Sequence, residues 1–186
     1  PDSYSKLEIL EDELYRTLIS DKLDDIGRVV LNKEHFDLVY DAFRKWFYGQ
    51  RFKLGFLHGD FSVRNIYVFN GHISGLIDWE DAKIMSLSIL DCINYLDSVS
   101  RVFEPPNSIV DSLQNLIEGR WASKEEVKML EQMFFYHKLD QDKLIPIVAL
   151  YGVTHLSDQI RLCDSELENS LVKRCQYLME CISKLA

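Results

Sequence analysis

Apolar residues recur every three to four positions along most of the chain, and residues that start or stop helices bound each stripe. Asn32 stands ahead of Phe36, Val39, Tyr40, Phe43 and Phe47, and Gly49 follows them. An Asn side chain accepts a hydrogen bond from a free first-turn amide, and Gly enters the left-handed region that ends helices, so a helix is predicted between the two. Ser123 with Glu126 forms a capping-box pattern before Val127, Leu130, Phe134 and His137, and Ser165 with Glu168 repeats it before Leu171, Cys175, Leu178 and Ile182. Two more helices are predicted, one from Ser108 to Ile117 ended by Gly119, the other from Gln141 to about Cys163. Pro146 lies in the first turns of the latter and moves its regular start later, because proline has no amide proton to donate.

One region breaks this period. "IYVF" and "HISGLI" are short β-rich runs separated by Asn70-Gly71, a strong hairpin signal. A two-residue turn sets Phe69 opposite His72, Val68 opposite Ile73, Ile66 opposite Gly75 and Asn65 opposite Leu76. One face then carries Ile66, Val68, Ile73 and Ile77, a set expected to be buried. The other carries Asn65, Tyr67, His72, Ser74 and Asp78. Gly75 is a place where a bulge would change the detail of this ladder. The expected fold class is α+β, mainly helical, with this hairpin as the exceptional element.

At 186 residues the chain suits one domain, or one lobe of a larger enzyme. Its formal net charge is −9 and nothing in it resembles a basic stripe that would displace counterions, so no nucleic-acid partner is expected. The 4 cysteines show no zinc spacing, and Cys92, Cys175 and Cys181 sit at apolar helical positions, as reduced thiols do. The start lacks a signal-peptide core, and the longest apolar run, "LIPIVALYGV", is too short for a bilayer. A cytoplasmic protein without a membrane span is expected.

The candidate chemistry lies in "LHGDFSVRN" and the "LIDWE" that follows. The hairpin register brings Asn65 and Asp78 to one polar face at its open end, where an amide oxygen and a carboxylate can converge on a hard cation. Asp60 lies five residues before Asn65, and His-x-Asp-x-x-x-x-Asn is the spacing of the protein-kinase catalytic loop. Phosphoryl transfer needs an oriented hydroxyl and cations on the phosphate oxygens, and little covalent chemistry from the protein.

Together, "HGDFSVRNIYVFNGHISGLIDWEDA" resembles the signature of the aminoglycoside phosphotransferase and choline-kinase-like family, small-molecule kinases with a protein-kinase-like fold. The resemblance implies that Asp60 is the catalytic base, that Asn65 and Asp78 hold Mg²⁺, and that His58 and Gly59 shape the loop. It matches Asp91 to a structural Asp in the next helix, and it implies ATP or GTP as phosphate donor and a small-molecule hydroxyl acceptor such as a sugar, an aminoglycoside or a choline-like alcohol. Val63 and Arg64 depart from the Pro-containing pair often seen before the Asn, and Arg64 reads either as a phosphate contact or as a surface residue. Glu80 and Asp81 read as a solvated turn or as ligands of a second cation or a substrate ammonium. Trp79 is expected to pack beneath the loop. His137 and His155 are read as packing residues, and Phe134, Phe135, Tyr136 and Tyr151 as core. Asp140, Asp142 and Asp158 are candidates for an acceptor pocket.

No Gly-rich phosphate loop occurs in the chain. It is therefore read as a kinase-like C-terminal lobe over 1–186, with its N-lobe absent. Within it, 1–52 is expected as a leading helical segment, 53–81 as the catalytic loop and metal-binding hairpin, and 82–186 as a helical substrate-side part. Such a lobe, needing its N-lobe in cis, is expected to be inactive alone and to self-associate through the exposed lobe interface. The competing expectation is a non-catalytic, pseudokinase-like module that scaffolds or regulates a partner.

Overall fold

The structure, a computed structural model, describes residues 5–103, 111, 113–115, 118, 123–163 and 169–186. These form an α+β arrangement, mainly helical. Strand β1 (Lys6–Ile9) leads into α1 (Asp12–Tyr15), a π-helical turn and α2 (Asp21–Gly27), followed by α3 (Lys33–Phe47) and β2 (Arg51–Leu57). A short 3-10 turn (Val63–Asn65) precedes the hairpin of β3 (Ile66–Phe69) and β4 (His72–Leu76), and β5 (Lys83–Ser86) follows. Then come α4 (Ile89–Phe103), α5 (Lys124–His137), a 3-10 turn (Gln141–Lys143), α6 (Leu144–Leu162) and α7 (Asn169–Ser183).

The capping chemistry acts as the sequence suggests. Asn32 accepts from the His35 amide at 3.2 Å, and α3 ends ahead of Gly49 at φ 72°. In α5 the Glu126 amide donates to Ser123 at 3.3 Å, and the Ser123 amide donates to Glu126 at 2.8 Å, so two end amides are satisfied reciprocally. The regular part of the long helix begins at Leu144, after a 3-10 turn, with Pro146 in its first turn, where no amide partner is needed. The predicted Ser108–Ile117 helix and its Gly119 stop lie largely outside the described residues, although 111 and 113–115 are helical. The Ser165–Glu168 capping pattern lies outside them too.

Helix α6 is buried along most of its length and runs between α2, α4 and α7. Ile147, Val148, Leu150, Val153 and Leu156 are sealed from solvent. The buried Asp25 carboxylate ties α2 to this helix, accepting from Ser157 at 2.8 Å and from Arg161 at 2.5 Å. Phe43 and Phe47 of α3 extend the core, and Phe47 stacks on Phe52 of β2 with centroids 5.4 Å apart. Strand β2 is the centre of a three-stranded antiparallel sheet ordered β1-β2-β5.

Several expectations need correction. The leading segment is not wholly helical, because β1 pairs along β2 from Lys6↔Leu54 to Ile9↔Arg51. The hairpin turn is as predicted, with Asn70 and Gly71 both left-handed (φ 49° and 76°) and Phe69↔His72 and Val68↔Ile73 in register. Beyond that pair Ser74 is an extra, bulged residue, so Tyr67 faces Gly75 and Ile66 faces Leu76, rather than Ile66 facing Gly75 and Asn65 facing Leu76. The face expected to be buried is open: Val68 is 64% and Ile73 63% exposed, Ile77 is also exposed, and only Ile66 is half-buried. The physical reason is that β3 and β4 form a separate two-stranded ribbon rather than part of the larger sheet. Phe135 is likewise on the surface, not in the core, and Tyr136 stands half-exposed beneath the Lys53 ammonium, 3.5 Å from its ring centre. Among the described residues, no helix is long and apolar enough to cross a membrane.

Candidate active site

Strand β2 delivers His58, Gly59 and Asp60 to the start of α4, and Asp91 in the first turn of that helix holds the delivered backbone. Its carboxylate accepts from the His58 amide at 2.7 Å and the Gly59 amide at 3.0 Å. Burial raises the Asp91 pKa above the ordinary carboxylate value, and the two amides oppose that shift. Gly59 has φ +90°, and a Cβ there would lie 2.5 Å from the carbonyl oxygen of Asp81. The loop and the turn after β4 are thus pressed together at a point only glycine fits. The same turn is held by Trp79, whose indole donates to the Leu76 carbonyl at 2.9 Å, and it places Asp78 at φ 65°. A non-glycine residue in that region is strained, and such strain concentrates at functional sites.

His58 is 2% exposed, and its ring packs on Trp79 at 4.3 Å and against Phe61 at 6.0 Å. Neither ring nitrogen has a partner among the described residues. The residue thus fills space under the loop. Trp79 covers it from outside, itself 45% exposed rather than packed in the core.

Asp60 and Asn65 are brought together directly. The Asn65 side-chain amide donates to Asp60 Oδ2 at 2.8 Å and to the Asp60 carbonyl at 2.9 Å. With its nitrogen committed to Asp60, the amide presents Oδ1 on its other side. The Ile77 amide donates to the Asn65 carbonyl at 3.1 Å, and Asp78 is the next residue in the chain. Its side chain is exposed. Asp60 opens on a cavity of about 350 Å³ whose wall includes Arg64, Asp81 and Lys83 but not Asp78 or Asn65. No cluster of three or more His, Cys, Asp or Glu side chains suited to a metal exists among the described residues. The Asn65 amide oxygen and the Asp78 carboxylate are both hard oxygen donors in type.

The far side of the cavity comes from α4 and α6. Asn94 Nδ2 lies 3.4 Å from Asp60 Oδ1, and the Tyr151 hydroxyl is 3.0 Å from Asn94 Oδ1 and 3.2 Å from Asp97 Oδ2. Arg101 donates to Asp97 at 2.9 Å. A hydrogen-bonded chain thus runs from Arg101 through Asp97, Tyr151 and Asn94 to Asp60. Sequence reasoning missed Asn94, Asp97 and Arg101, and placed Tyr151 only in the core. The available signal was the polar stripe Asp91, Asn94, Ser98, Arg101, which repeats at helical spacing along α4. Of the three acceptor-pocket candidates, Asp158 lines this cavity and Asp140 and Asp142 do not. His155 also lines it, and burial lowers its pKa, keeping the ring neutral near pH 7. Glu80 is exposed and stands off the wall.

Residues 7–89 match the sequence model of a family described as "Phosphotransferase enzyme family". The match takes in Asp60, Asn65 and Asp78 and stops just before Asp91. No curated protein and no solved structure matches the chain.

Proposed function

Because residues 7–89 match the model of the phosphotransferase enzyme family, we propose that the intact protein transfers the γ-phosphate of ATP or GTP to a hydroxyl of a small molecule. The observation that carries this reading is the 2.8 Å hydrogen bond between Asn65 and Asp60. It fixes a carboxylate beside an open cavity and orients the neighbouring amide oxygen in one step. Asp60 accepts the proton of the acceptor hydroxyl as its oxygen bonds to the γ-phosphorus. The bond from that phosphorus to the bridging oxygen breaks, and the nucleoside diphosphate leaves. General-base assistance of this kind is worth about 10²–10⁴ in rate.

Asn65 Oδ1 and the Asp78 carboxylate are the residues that would hold Mg²⁺, and their oxygen-only chemistry suits it. The ion supplies neutralisation of the phosphate oxygens. The proposed context is a kinase-like fold in which this chain is the C-terminal lobe. The open hairpin face, with Val68, Ile73 and Ile77, together with Phe56 and Trp79, supports that context as an apolar surface awaiting a first lobe and the nucleotide base. Left open, it favours self-association of the chain alone. The free cysteines accord with a reducing cytoplasm.

The test is Mg²⁺-dependent nucleotide turnover by the full-length protein. Asp60→Asn is expected to lower kcat by about 10²-fold or more, and turnover is expected to collapse in Asp78→Ala as well. Unchanged turnover in both variants refutes the roles. A second reading, a non-catalytic module that binds a partner, draws on one observation, the position of Asp78 outside the Asp60 cavity wall. It predicts that the full-length protein hydrolyses no nucleotide with or without Mg²⁺. The chain described above is expected to bind ATP only weakly by calorimetry, and sub-micromolar affinity contradicts the lobe assignment.

A further inference from the structure

We propose that the wall formed by Ser62 and helix α6 is an acceptor subsite for a neutral, polyhydroxylated molecule about the size of one sugar ring. The inference rests on the reading of Asp60 as the base and narrows it, separating neutral polyols from the cationic and anionic acceptors that a general phosphotransferase admits.

The first argument is charge. Five carboxylates line the cavity, and three are already committed. Asp91 is bound to two backbone amides, Asp97 to Arg101 and Tyr151, and Asp158 lies 3.8 Å from the Lys22 ammonium. The other two, Asp60 and Asp81, are matched in number by Arg64 and Lys83 on the same wall. A polyamine needs several carboxylates without local cations, and an anion needs the reverse. This wall offers neither.

The second argument is unused hydrogen-bonding capacity. Ser62 Oγ, Thr154 Oγ1 and Gln159 Oε1 are buried, and none has a partner among the described residues. Ser62 is only 3% exposed, and all three residues line the cavity. Buried polar groups are ordinarily satisfied, so an unmatched trio around one cavity points to a ligand that completes them. Rotating Ser62 or Thr154 about χ1 turns its oxygen without breaking a hydrogen bond. Two hydroxyls that donate and accept, with an amide oxygen that only accepts, complement a ligand bearing several hydroxyls. Gln159 Nε2 is engaged with His155 Nε2 at 2.8 Å, so its oxygen turns toward the cavity only when that bond is exchanged for one to the ligand. A volume of about 350 Å³ stands at the small end of ligand pockets. It admits one ring and brings a ring hydroxyl into the space that Asp60 shares.

Ligand-observed NMR on the chain, without nucleotide, tests the subsite by itself. The probes are glucose, myo-inositol, choline, kanamycin and glucose 6-phosphate. A neutral probe is expected to bind more tightly than any of the three charged ones. Thr154→Val and Gln159→Leu should each weaken it about threefold to tenfold, while Thr154→Ser retains it. Tighter binding of a charged probe, no binding of either neutral probe, or affinity unchanged in both variants at unchanged melting temperature would overturn the proposal. The phosphotransfer reading is judged separately, by phosphorus NMR of the full-length protein with Mg·ATP and the bound polyol. Polyol binding without a phosphorylated product leaves the subsite standing and removes the reaction.

Discussion

His137 offers a quantitative test of how α5 braces the strand that leads into the Asp60 loop. It is 3% exposed, and its pKa is pushed down to about 4, chiefly by burial and secondarily by the Lys53 charge, against a hydrogen bond to the Lys53 backbone that works the other way. Lys53 belongs to β2, so the imidazole joins the last turn of α5 to that strand. The unfolded chain holds the same group near 6.5. Below that value the unfolded state binds a proton that the native state refuses. Stability is therefore complete above about pH 6.5 and lost as pH falls toward 4. Linkage arithmetic puts the loss between about pH 7.5 and 5.0 at about 2 kcal/mol, rising to about 3 kcal/mol below pH 4. Urea unfolding followed by circular dichroism at both pH values, for the parent and His137→Gln, isolates this contribution because the other titrating groups are common to both. The variant should be the less stable protein at the higher pH, having lost packing, yet lose about 2 kcal/mol less on acidification. Equal losses in the two proteins would refute the burial argument.

Two further predictions concern the loop itself. Asp91→Ala removes two charge-assisted hydrogen bonds and leaves the part-buried His58 amide without its partner, so chemical denaturation should show a loss of about 3 kcal/mol. A change within experimental error would mean the loop backbone finds other partners. Gly59→Ala puts a Cβ 2.5 Å from the Asp81 carbonyl at a left-handed φ, so the turn carrying Asp78 and Trp79 must move. Trp79 emission should shift and turnover by the intact protein fall at least about tenfold, and unaltered emission would show that the close approach is not maintained in solution.

Much of the helical framework was legible because its signals are local. Asn32 needs only His35, Ser123 only Glu126, and Pro146 only the amide it lacks. The strands flanking β2 were not, because "KLEI" and "KIMS" are four-residue segments with no period of their own. β1 exists through pairing with residues more than forty positions away in the chain, as in Lys6↔Leu54. The hairpin shows the boundary between the two cases. Its turn follows from Asn70-Gly71, but the bulge depends on Ser74, whose hydroxyl donates to the Tyr67 carbonyl at 3.3 Å. That bond competes with the regular ladder, and no alternation pattern records it.

The site divides in the same way. Asp60 and Asn65 are five residues apart, and their contact follows from the loop they share. The other half of the Asp60 environment arrives from α4 and α6, and the α4 stripe of Asp91, Asn94, Ser98 and Arg101 was visible without revealing what it faces. A polar stripe on a helix meets either water or a cavity, and only packing decides which. Tyr151 held a further clue. Within the apolar run of α6, a buried tyrosine must bring a hydrogen-bond partner for its hydroxyl. That requirement selects a facing helix with a polar stripe, and α4 is the one that carries it. Through Tyr151 the Asn94 amide takes one orientation, with its nitrogen toward Asp60. The carboxylate that initiates the proposed chemistry is therefore held from both sides, by a residue of its own loop and by a helix pair whose approach depends on the core beneath it.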